Sequence, residues 1–149
     1  TMRTGSRTFE AAAFLRRSGA DTGDVKKLFQ NDLEGTIAKY DIIQTARMYK
    51  DGIAVARVDH TVGRITAAQA ADELLNISGI DTSFVLFPDN EGRVILSARS
   101  MGDVNVQVVL EKLGGGGNAA TAGAQVPGKT VEVVTKLLLQ AIDQYLEDE

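Results

Sequence analysis

The sequence predicts an α/β domain in which a mixed β-sheet is flanked by helices, with a helical segment preceding it. Three observations predict this fold class. Beyond residue 52, short apolar runs alternate with stretches that carry apolar stripes at helical spacing. Two of the runs are separated only by the turn-forming residues 88–92, whereas helix-length stretches separate the others, so antiparallel and parallel pairs are both expected. The first 50 residues show no strand-like alternation.

The helical segment is expected to contain three helices. The first ends near Gly19. Its apolar residues share one face: Phe9, Ala12, Ala13 and Phe14. Asp21 or Thr22 caps a short second helix, and the third runs from about Asp32 to Tyr49.

Four strands and three helices are predicted beyond Gly52. The strands are apolar runs bounded by turn formers: 53–58, 84–87, 93–98 and 122–126. The helices carry apolar stripes within these ranges: 66–79, 104–113 and 130–145. Thr66 is expected to cap the first of these helices and Gly79 to end it. The second and third strands are expected to form a hairpin.

Composition excludes several functional classes. The 149 residues carry a net charge of -4, which argues against binding of nucleic acid through a broad, positively charged surface. A small phosphorylated ligand remains compatible with this charge, because a few local donors can hold it. Cysteine is absent, which excludes disulfides, thiol catalysis and thiolate metal sites. No apolar run approaches the roughly 18 residues that cross a bilayer.

Four consecutive glycines, Gly114 to Gly117, are the most informative feature of the chain. Glycine runs are costly to order, so a run implies that the backbone approaches something closely. One interpretation is a cradle in which several N–H groups converge on a phosphate or sugar oxygen. The other is a helix end followed by a tight turn, which one or two glycines would satisfy. No Lys-Ser/Thr pair follows, so the run is not a P-loop.

Arg99 and Ser100 come directly after a predicted strand. A guanidinium there can clamp a phosphate with paired donors, and the hydroxyl adds another. The alternative is a surface ion pair with one of the 20 acidic residues. In α/β sheets, ligands gather beyond strand ends, and the glycine run could reach the same edge.

Other polar residues give weaker indications. Asp59 and His60, which is the single histidine, favour a solvated turn, because neighbours on a strand face opposite ways and a catalytic metal needs about three protein ligands. Arg64 is interpreted as a loop charge. Asn105 and Gln107 are either helix-surface groups or ligand donors.

Four segments together resemble the DHH-associated domain of DHH-family phosphoesterases. They are residues 97–100 (Ser-Ala-Arg-Ser), Asn105-Val106, Leu113 with the glycines, and residues 122–124 (Ala-Gly-Ala). Residues 3–12 are similar to the stretch after the last metal-site motif of the catalytic DHH half. Residues 71–75 and Gly79-Ile80 are similar to the cyclic-di-AMP phosphodiesterase subgroup.

The resemblance implies a division of the chain and of the chemistry. Residues 1–50 would be the end of the DHH half and a connector, and residues 51–149 the substrate-binding domain. Manganese would be held upstream, so this chain would carry no catalytic or metal-binding residue and would be inactive alone. Substrate contacts would come from one set of residues: Arg99, Ser100, Gly114, Gly115, Gly116, Gly117 and Asn118. Asn118 stands where the family usually has His, so a positive charge is missing.

The resemblance also implies partners and location. The ligand would be a nucleotide or cyclic dinucleotide, and the upstream half of the same polypeptide and a second copy in a homodimer would be partners. The protein would be cytoplasmic, with a parent that is membrane-anchored upstream in part of the subgroup, and this chain would make no membrane contact. Two alternatives remain open: a fragment of an oligoribonuclease-type phosphoesterase (nanoRNase/pAp phosphatase), or a non-catalytic nucleic-acid-binding module.

Overall fold

The computed structural model describes the backbone of residues 22–148 and the side chains of residues 32–148. The chain divides into two compact units, Thr1–Ile37 and Ala38–Glu149. In the first unit, the described residues belong to helix α1 (Thr22–Gln44), which continues into the second unit. The helix predicted around Phe9 to Phe14, with its end at Gly19, lies outside the described residues.

Helix α1 is one helix where two were predicted, and it ends earlier than expected. No Pro interrupts the chain near Asp32, and the helix tolerates Gly35 in its interior, so it continues through both residues. After Gln44 the backbone forms strand β1 (Ala46–Met48), where the sequence predicted helix as far as Tyr49. This expectation was wrong because β1 pairs antiparallel with β2 (Ile53–Arg57), and three residues are too few to show alternation in the sequence.

The six-stranded sheet has the order β1-β2-β3-β4-β6-β5. Its remaining strands are β3 (Thr82–Pro88), β4 (Arg93–Ser100), β5 (Gly116–Gly117) and β6 (Thr121–Pro127). Strands β2 and β3 pair in parallel and are joined through helix α2 (Arg64–Leu74), whereas the neighbouring β3–β4 and β4–β6 pairs are antiparallel. The predicted mixed α/β sheet flanked by helices is confirmed.

The hairpin between β3 and β4 is also confirmed. Its register pairs Pro88 with Val94. The turn is closed by Asp89, whose Oδ1 accepts the backbone N–H of Glu91 at 3.0 Å and of Arg93 at 2.8 Å. An aspartate that binds the backbone two residues ahead stabilises such a turn.

The sheet is buried differently on its two faces. Helices α3 (Val106–Glu111) and α4 (Val131–Glu147) cover the face that carries Phe84 and Leu86. Helix α2 covers the other face, which carries Val85, Phe87 and Ile95 and is called the α2 face below. Three alanines, Ala67, Ala70 and Ala71, bring α2 close to the sheet. Among the described elements, α2 packs on β3 and β4, while the α2 face of β5 and β6 carries no helix.

Side chains set the helix starts. Asn105 caps α3 by accepting the Val108 N–H at 3.2 Å, so its structural interpretation is favoured. Thr130 caps α4 in the same way, as predicted for the start of that helix. Helix α2 begins two residues before the predicted cap, because Gly63 occupies the N-cap position and Thr66 lies in the first turn.

Candidate functional site

A cleft of about 590 Å³ lies on the α2 face, over β5, β6 and the part of β4 that α2 leaves uncovered. It is lined by Arg64 at the start of α2, residues 95–97 of β4, residues 114–116, and residues 123–125 of β6. Its position follows from the fold, because the short α2 covers only part of this face.

Small residues make the floor of the cleft flat. Ser97 pairs with Gly123 in the β4–β6 register, and Gly123 pairs with Gly116 in the β6–β5 register. This row of Ser and two Gly crosses three strands without a large side chain. A ligand in the cleft can therefore approach the backbone itself.

The glycine run first ends helix α3. The Gly115 N–H donates to the Leu110 carbonyl at 2.8 Å, and the Gly114 N–H donates to the Glu111 carbonyl at 3.1 Å. Gly114 has φ +83°, the left-handed conformation that this helix ending requires. The helix-end interpretation therefore accounts for the first glycine.

Two further glycines are required by close contact with β6. A Cβ atom on Gly115 would lie 2.3 Å from the Gly123 carbonyl oxygen and 2.7 Å from the Cβ of Ala124. A Cβ atom on Gly117 would lie 2.3 Å from the Thr121 carbonyl oxygen. A Cβ atom on Gly116 would meet nothing within 4 Å. Gly116 is thus the one member of the run whose missing side chain the fold does not explain.

The backbone donors of the run are mostly engaged within the fold. The N–H groups of Gly114 and Gly115 end α3, and the Asn118 N–H donates to the Thr121 carbonyl at 2.7 Å. Asn118 and Thr121 therefore form a hydrogen-bonded pair of the β5–β6 ladder. Bonded and non-bonded pairs alternate along an antiparallel ladder, so the next pair, Gly117 and Ala122, is non-bonded and the Gly117 N–H points away from β6. The predicted convergence of several free N–H groups is replaced by one outward N–H beside an open glycine.

Asn118 closes the β5–β6 hairpin. Its Oδ1 accepts the backbone N–H groups of Ala120 and Thr121, each at 2.9 Å. Within the part of the chain whose side chains are described, its Nδ2 makes no hydrogen bond. Asn118 is exposed, so this amide is accessible at the end of the glycine run.

Arg99 extends from β4 on the α2 face, beyond Ser97 and next to the cleft rather than in its lining. Its Nε donates to Asp72 Oδ1 at 2.9 Å, and its Nη1 donates to the Ala98 carbonyl at 2.9 Å. The predicted alternative of a surface ion pair is therefore present. A guanidinium has five N–H donors, so three remain for a ligand. The register puts the backbones of Arg99 and Gly117 two strands apart, roughly 10 Å.

Ser100 is separated from Arg99 by the sheet. Successive residues of a strand face opposite ways, so the Ser100 side chain points to the face covered by α3 and α4, where it is buried. Its Oγ lies 3.5 Å from Thr82 Oγ1 and accepts the Gly102 N–H at 3.3 Å. The structure does not bring the two side chains of this pair together in the cleft.

Two residues of the cleft were missed by sequence reasoning. Arg64 was interpreted as a loop charge, but it is the first residue of α2 and reaches toward Asp89, at 4.0 Å. Gln125 lines the cleft from β6, where its Oε1 accepts a hydrogen bond from Arg93 Nη1 at 3.1 Å. Strand alternation from Gly123 was the available signal for Gln125.

A family model described as the DHHA1 domain matches residues 50–148, which include the whole cleft. The chain belongs to the DHHA1 domain family. The resemblance that the glycine run and its neighbouring segments carried in the sequence is thereby confirmed.

Similarity to curated proteins extends over the DHHA1 domain and the residues before it. The chain is 44% identical over 149 residues to the cyclic-di-AMP phosphodiesterase GdpP of Geobacillus thermodenitrificans. It is 41% identical over 151 residues to the cyclic-di-AMP phosphodiesterase PdeA of Listeria monocytogenes. These matches cover 99% and 100% of the chain but 23% of each relative. The chain thus spans about a quarter of the length of the curated relatives it matches.

Solved structures share the fold of the DHHA1 domain chain. An exopolyphosphatase-related protein from Bacteroides fragilis matches with a TM-score of 0.67 and 21% identity, covering 88% of this chain and 41% of that one. The pGpG-specific phosphodiesterase PggH from Vibrio cholerae matches with a TM-score of 0.59 and 19% identity, covering 81% and 43%. At these identities the likeness shows the fold alone.

The described part of this DHHA1 domain chain does not fit a metal centre. No group of three or more His, Asp or Glu side chains comes together among the residues that the structure describes. Asp59 pairs with Arg57 at 2.8 Å, and His60 lies exposed beside it in a turn. Within the same residues, no helix is long and apolar enough to cross a membrane.

Proposed function

We propose that this DHHA1 domain is the substrate-binding part of a manganese-dependent phosphodiesterase that hydrolyses cyclic dinucleotides of the cyclic-di-AMP type. The names of the relatives with 41% and 44% identity support the substrate class. The observation that carries the proposal is Gly116, which faces open space on the floor of a cleft large enough for a nucleotide.

In the proposed complex, the phosphate lies at the β5 edge of the cleft. Gly116 lets it approach the backbone, and the Gly117 N–H supplies one donor. Arg99 supplies its three uncommitted N–H groups and Asn118 its Nδ2. Gly114, Gly115 and Ser100 contribute through the shape of the loop and of the end of β4.

Manganese belongs to the upstream part of the polypeptide in this proposal, because the described residues do not fit a metal centre. When bound there, the metal supplies water activation and neutralises developing charge. The DHHA1 domain supplies orientation by holding the remainder of the substrate in place. The proposal includes the division at residues 50 and 51, a homodimer, and a cytoplasmic enzyme whose parent is membrane-anchored upstream.

Calorimetric titration of the chain with cyclic di-AMP tests the proposal. We expect saturable binding that Gly116→Leu weakens at least about tenfold, because the new side chain enters the cleft. Gly35→Leu is the matched control, since Gly35 also faces open space but lies in α1, and we expect it to bind as the wild type does. Circular dichroism verifies that both variants fold. Absence of wild-type binding, or equal affinities in all three proteins, would overturn the proposal.

The same titration separates the proposal from its alternatives. A linear dinucleotide bound more tightly than the cyclic one would indicate an oligoribonuclease-type parent. Affinity for tRNA without affinity for dinucleotides would indicate a nucleic-acid-binding module. The net charge of -4 disfavours the second outcome. Light scattering of the same samples tests the homodimer.

A further inference from the structure

Gln125 is the polar side chain at the end of the cleft opposite Arg99. It lies on β6, two residues beyond Gly123, so it faces the cleft. Its Oε1 accepts a hydrogen bond from Arg93 Nη1 at 3.1 Å. Its Nε2 makes no hydrogen bond within residues 32–148. One half of the amide is thus held and the other is free.

Arg93 is itself held in place by two carboxylates. Its Nε donates to Asp89 Oδ2 at 2.8 Å, and its Nη2 lies 3.1 Å from Glu91 Oε2. The Arg93 backbone N–H also donates to Asp89 Oδ1 at 2.8 Å, so backbone and side chain hold the same carboxylate. The Asp89 side chain is 12% exposed, which shields the contact from water. Arg93 is therefore a fixed donor rather than a mobile surface charge.

A fixed arginine decides which way the glutamine amide points. Arginine has donors and no acceptor, so only the oxygen of Gln125 can face it. The NH₂ group is left on the side away from Arg93. A free glutamine could present either end to a ligand, whereas this one presents N–H donors and selects a ligand group that accepts.

Local charge favours a neutral ligand group beside Gln125. Arg64 and Arg93 contribute two positive charges, and Asp89 and Glu91 contribute two negative ones, so the four side chains balance. A phosphate gains little net attraction from a neutral cluster. A nucleobase is uncharged and carries ring nitrogens that accept hydrogen bonds. The flat floor of Ser97 and Gly123 leaves room for its plane.

We propose that Gln125 is a specificity-determining residue that donates its Nε2–H to a ring nitrogen of the nucleobase, and that Arg93 and Asp89 are the positioning residues that orient it. This inference rests on the proposed function, since it assigns the base end of the same cleft. It also fixes the orientation of the ligand in the cleft, with the phosphate at the β5 edge and a base at Gln125.

Substitution of Gln125 combined with altered ligands tests the inference. Gln125→Met keeps the length of the side chain and removes the donor, and we expect cyclic di-AMP to bind about 3- to 10-fold more weakly, the range of one net hydrogen bond. Deaza analogues, in which one ring nitrogen of adenine is replaced by CH, supply the ligand change that completes a double-mutant cycle with Gln125→Met. One of them should bind the wild type more weakly by the same factor and should bind Gln125→Met with no further loss.

Arg93 variants test the positioning role. The quantity measured is the preference between two ligands, which a loss of packing alone would leave unchanged. Arg93→Met should erase the preference for cyclic di-AMP over that deaza analogue, because the amide is no longer oriented. Arg93→Lys should restore part of the preference, since lysine also donates to Gln125. Gln140→Met, on an exposed position of α4, is the matched control and should change neither affinity nor preference.

The outcomes separate this inference from the proposed function. Wild-type binding that is unchanged in Gln125→Met overturns the inference and leaves the proposed function standing. An equal loss of affinity for ribose phosphate, which carries no base, assigns the contact to phosphate and also overturns the inference. Absence of wild-type binding overturns the proposed function and the inference with it.

Discussion

Gly115 and Gly116 are neighbours in the chain, yet the fold constrains them in different ways. We expect Gly115→Ala to destabilise the chain by about 1–3 kcal/mol or more, because its Cβ would overlap backbone and Cβ atoms of β6 that cannot move independently. Gly116→Ala should change stability by less than about 0.5 kcal/mol, as is usual where a new methyl meets nothing. Urea unfolding of the two variants measures the difference.

Equal stabilities of the two alanine variants would contradict the close contact between Gly115 and β6. The coordinates are thus needed to divide a run of identical residues into those that the fold requires to be glycine and the one that faces open space. The sequence indicated that four glycines exceed what a helix end needs. It could not indicate that two of them contact β6, because that contact depends on which residues pair across the β5–β6 hairpin.

The elements of the domain were predictable to the extent that their own residues determine them. Strands β2, β3, β4 and β6 were predicted because each contains a short run of mainly apolar or small residues bounded by turn formers. Strand β5 consists of Gly116 and Gly117, which have no intrinsic preference for strands, and it forms because β6 lies beside it. Strand β1 was missed for a similar reason, since its pairing with β2 stabilises it.

The residues of the candidate site were also only partly predictable from the sequence. The four consecutive glycines pointed to residues 114–117, and the expected position of Arg99 after a strand pointed to a strand end that the glycines could reach, although Arg99 lies within β4. Arg64 and Gln125 enter the cleft only because α2 is short and because the β4–β6 register aligns Gln125 near Arg93. Strand alternation could have placed Gln125 on the same face as Gly123, but its contact with Arg93 and the position of Arg64 depend on tertiary packing, which leaves no local signal in a single sequence.

Asp89 makes the stability of the β3–β4 hairpin dependent on pH. Burial tends to raise the pKa of Asp89, but hydrogen bonds from the backbone and side chain of Arg93 and from the backbone of Glu91 outweigh it, so the pKa is lowered. A lowered carboxyl pKa stabilises the fold above the unfolded-state value of about 3.9, and this contribution is lost as pH falls through the folded-state pKa.

We therefore expect Asp89→Asn to be less stable than the wild type at pH 7 and the difference to shrink below about pH 4. Asparagine keeps the Oδ1 that accepts the turn N–H groups, but it replaces the charged Oδ2 that accepts from Arg93 Nε with a neutral NH₂ group that cannot accept. Urea unfolding of both proteins between pH 7 and pH 3 measures this. A difference that stays constant over that range would show that shape, rather than charge, makes Asp89 important.

At the scale of the whole molecule, the arginines around the cleft are already paired. Arg99 contacts Asp72, and Arg93 contacts Asp89, which Arg64 also approaches. The cleft therefore lacks the unpaired cationic surface with which proteins attract long nucleic acids. Directed donors on a flat floor are better suited to a small ligand of fixed shape.

The division of labour proposed for the parent enzyme leads to the last prediction. We expect the 149-residue chain to bind cyclic di-AMP without hydrolysing it when Mn²⁺ is present, because metal-assisted attack needs a ligand cluster that the described residues do not form. Chromatography of the nucleotides after incubation measures hydrolysis, and a longer polypeptide that includes a DHH half is the positive control. Release of linear dinucleotide by the chain alone, abolished in His60→Ala, would instead place hydrolysis at the turn that carries Asp59 and His60.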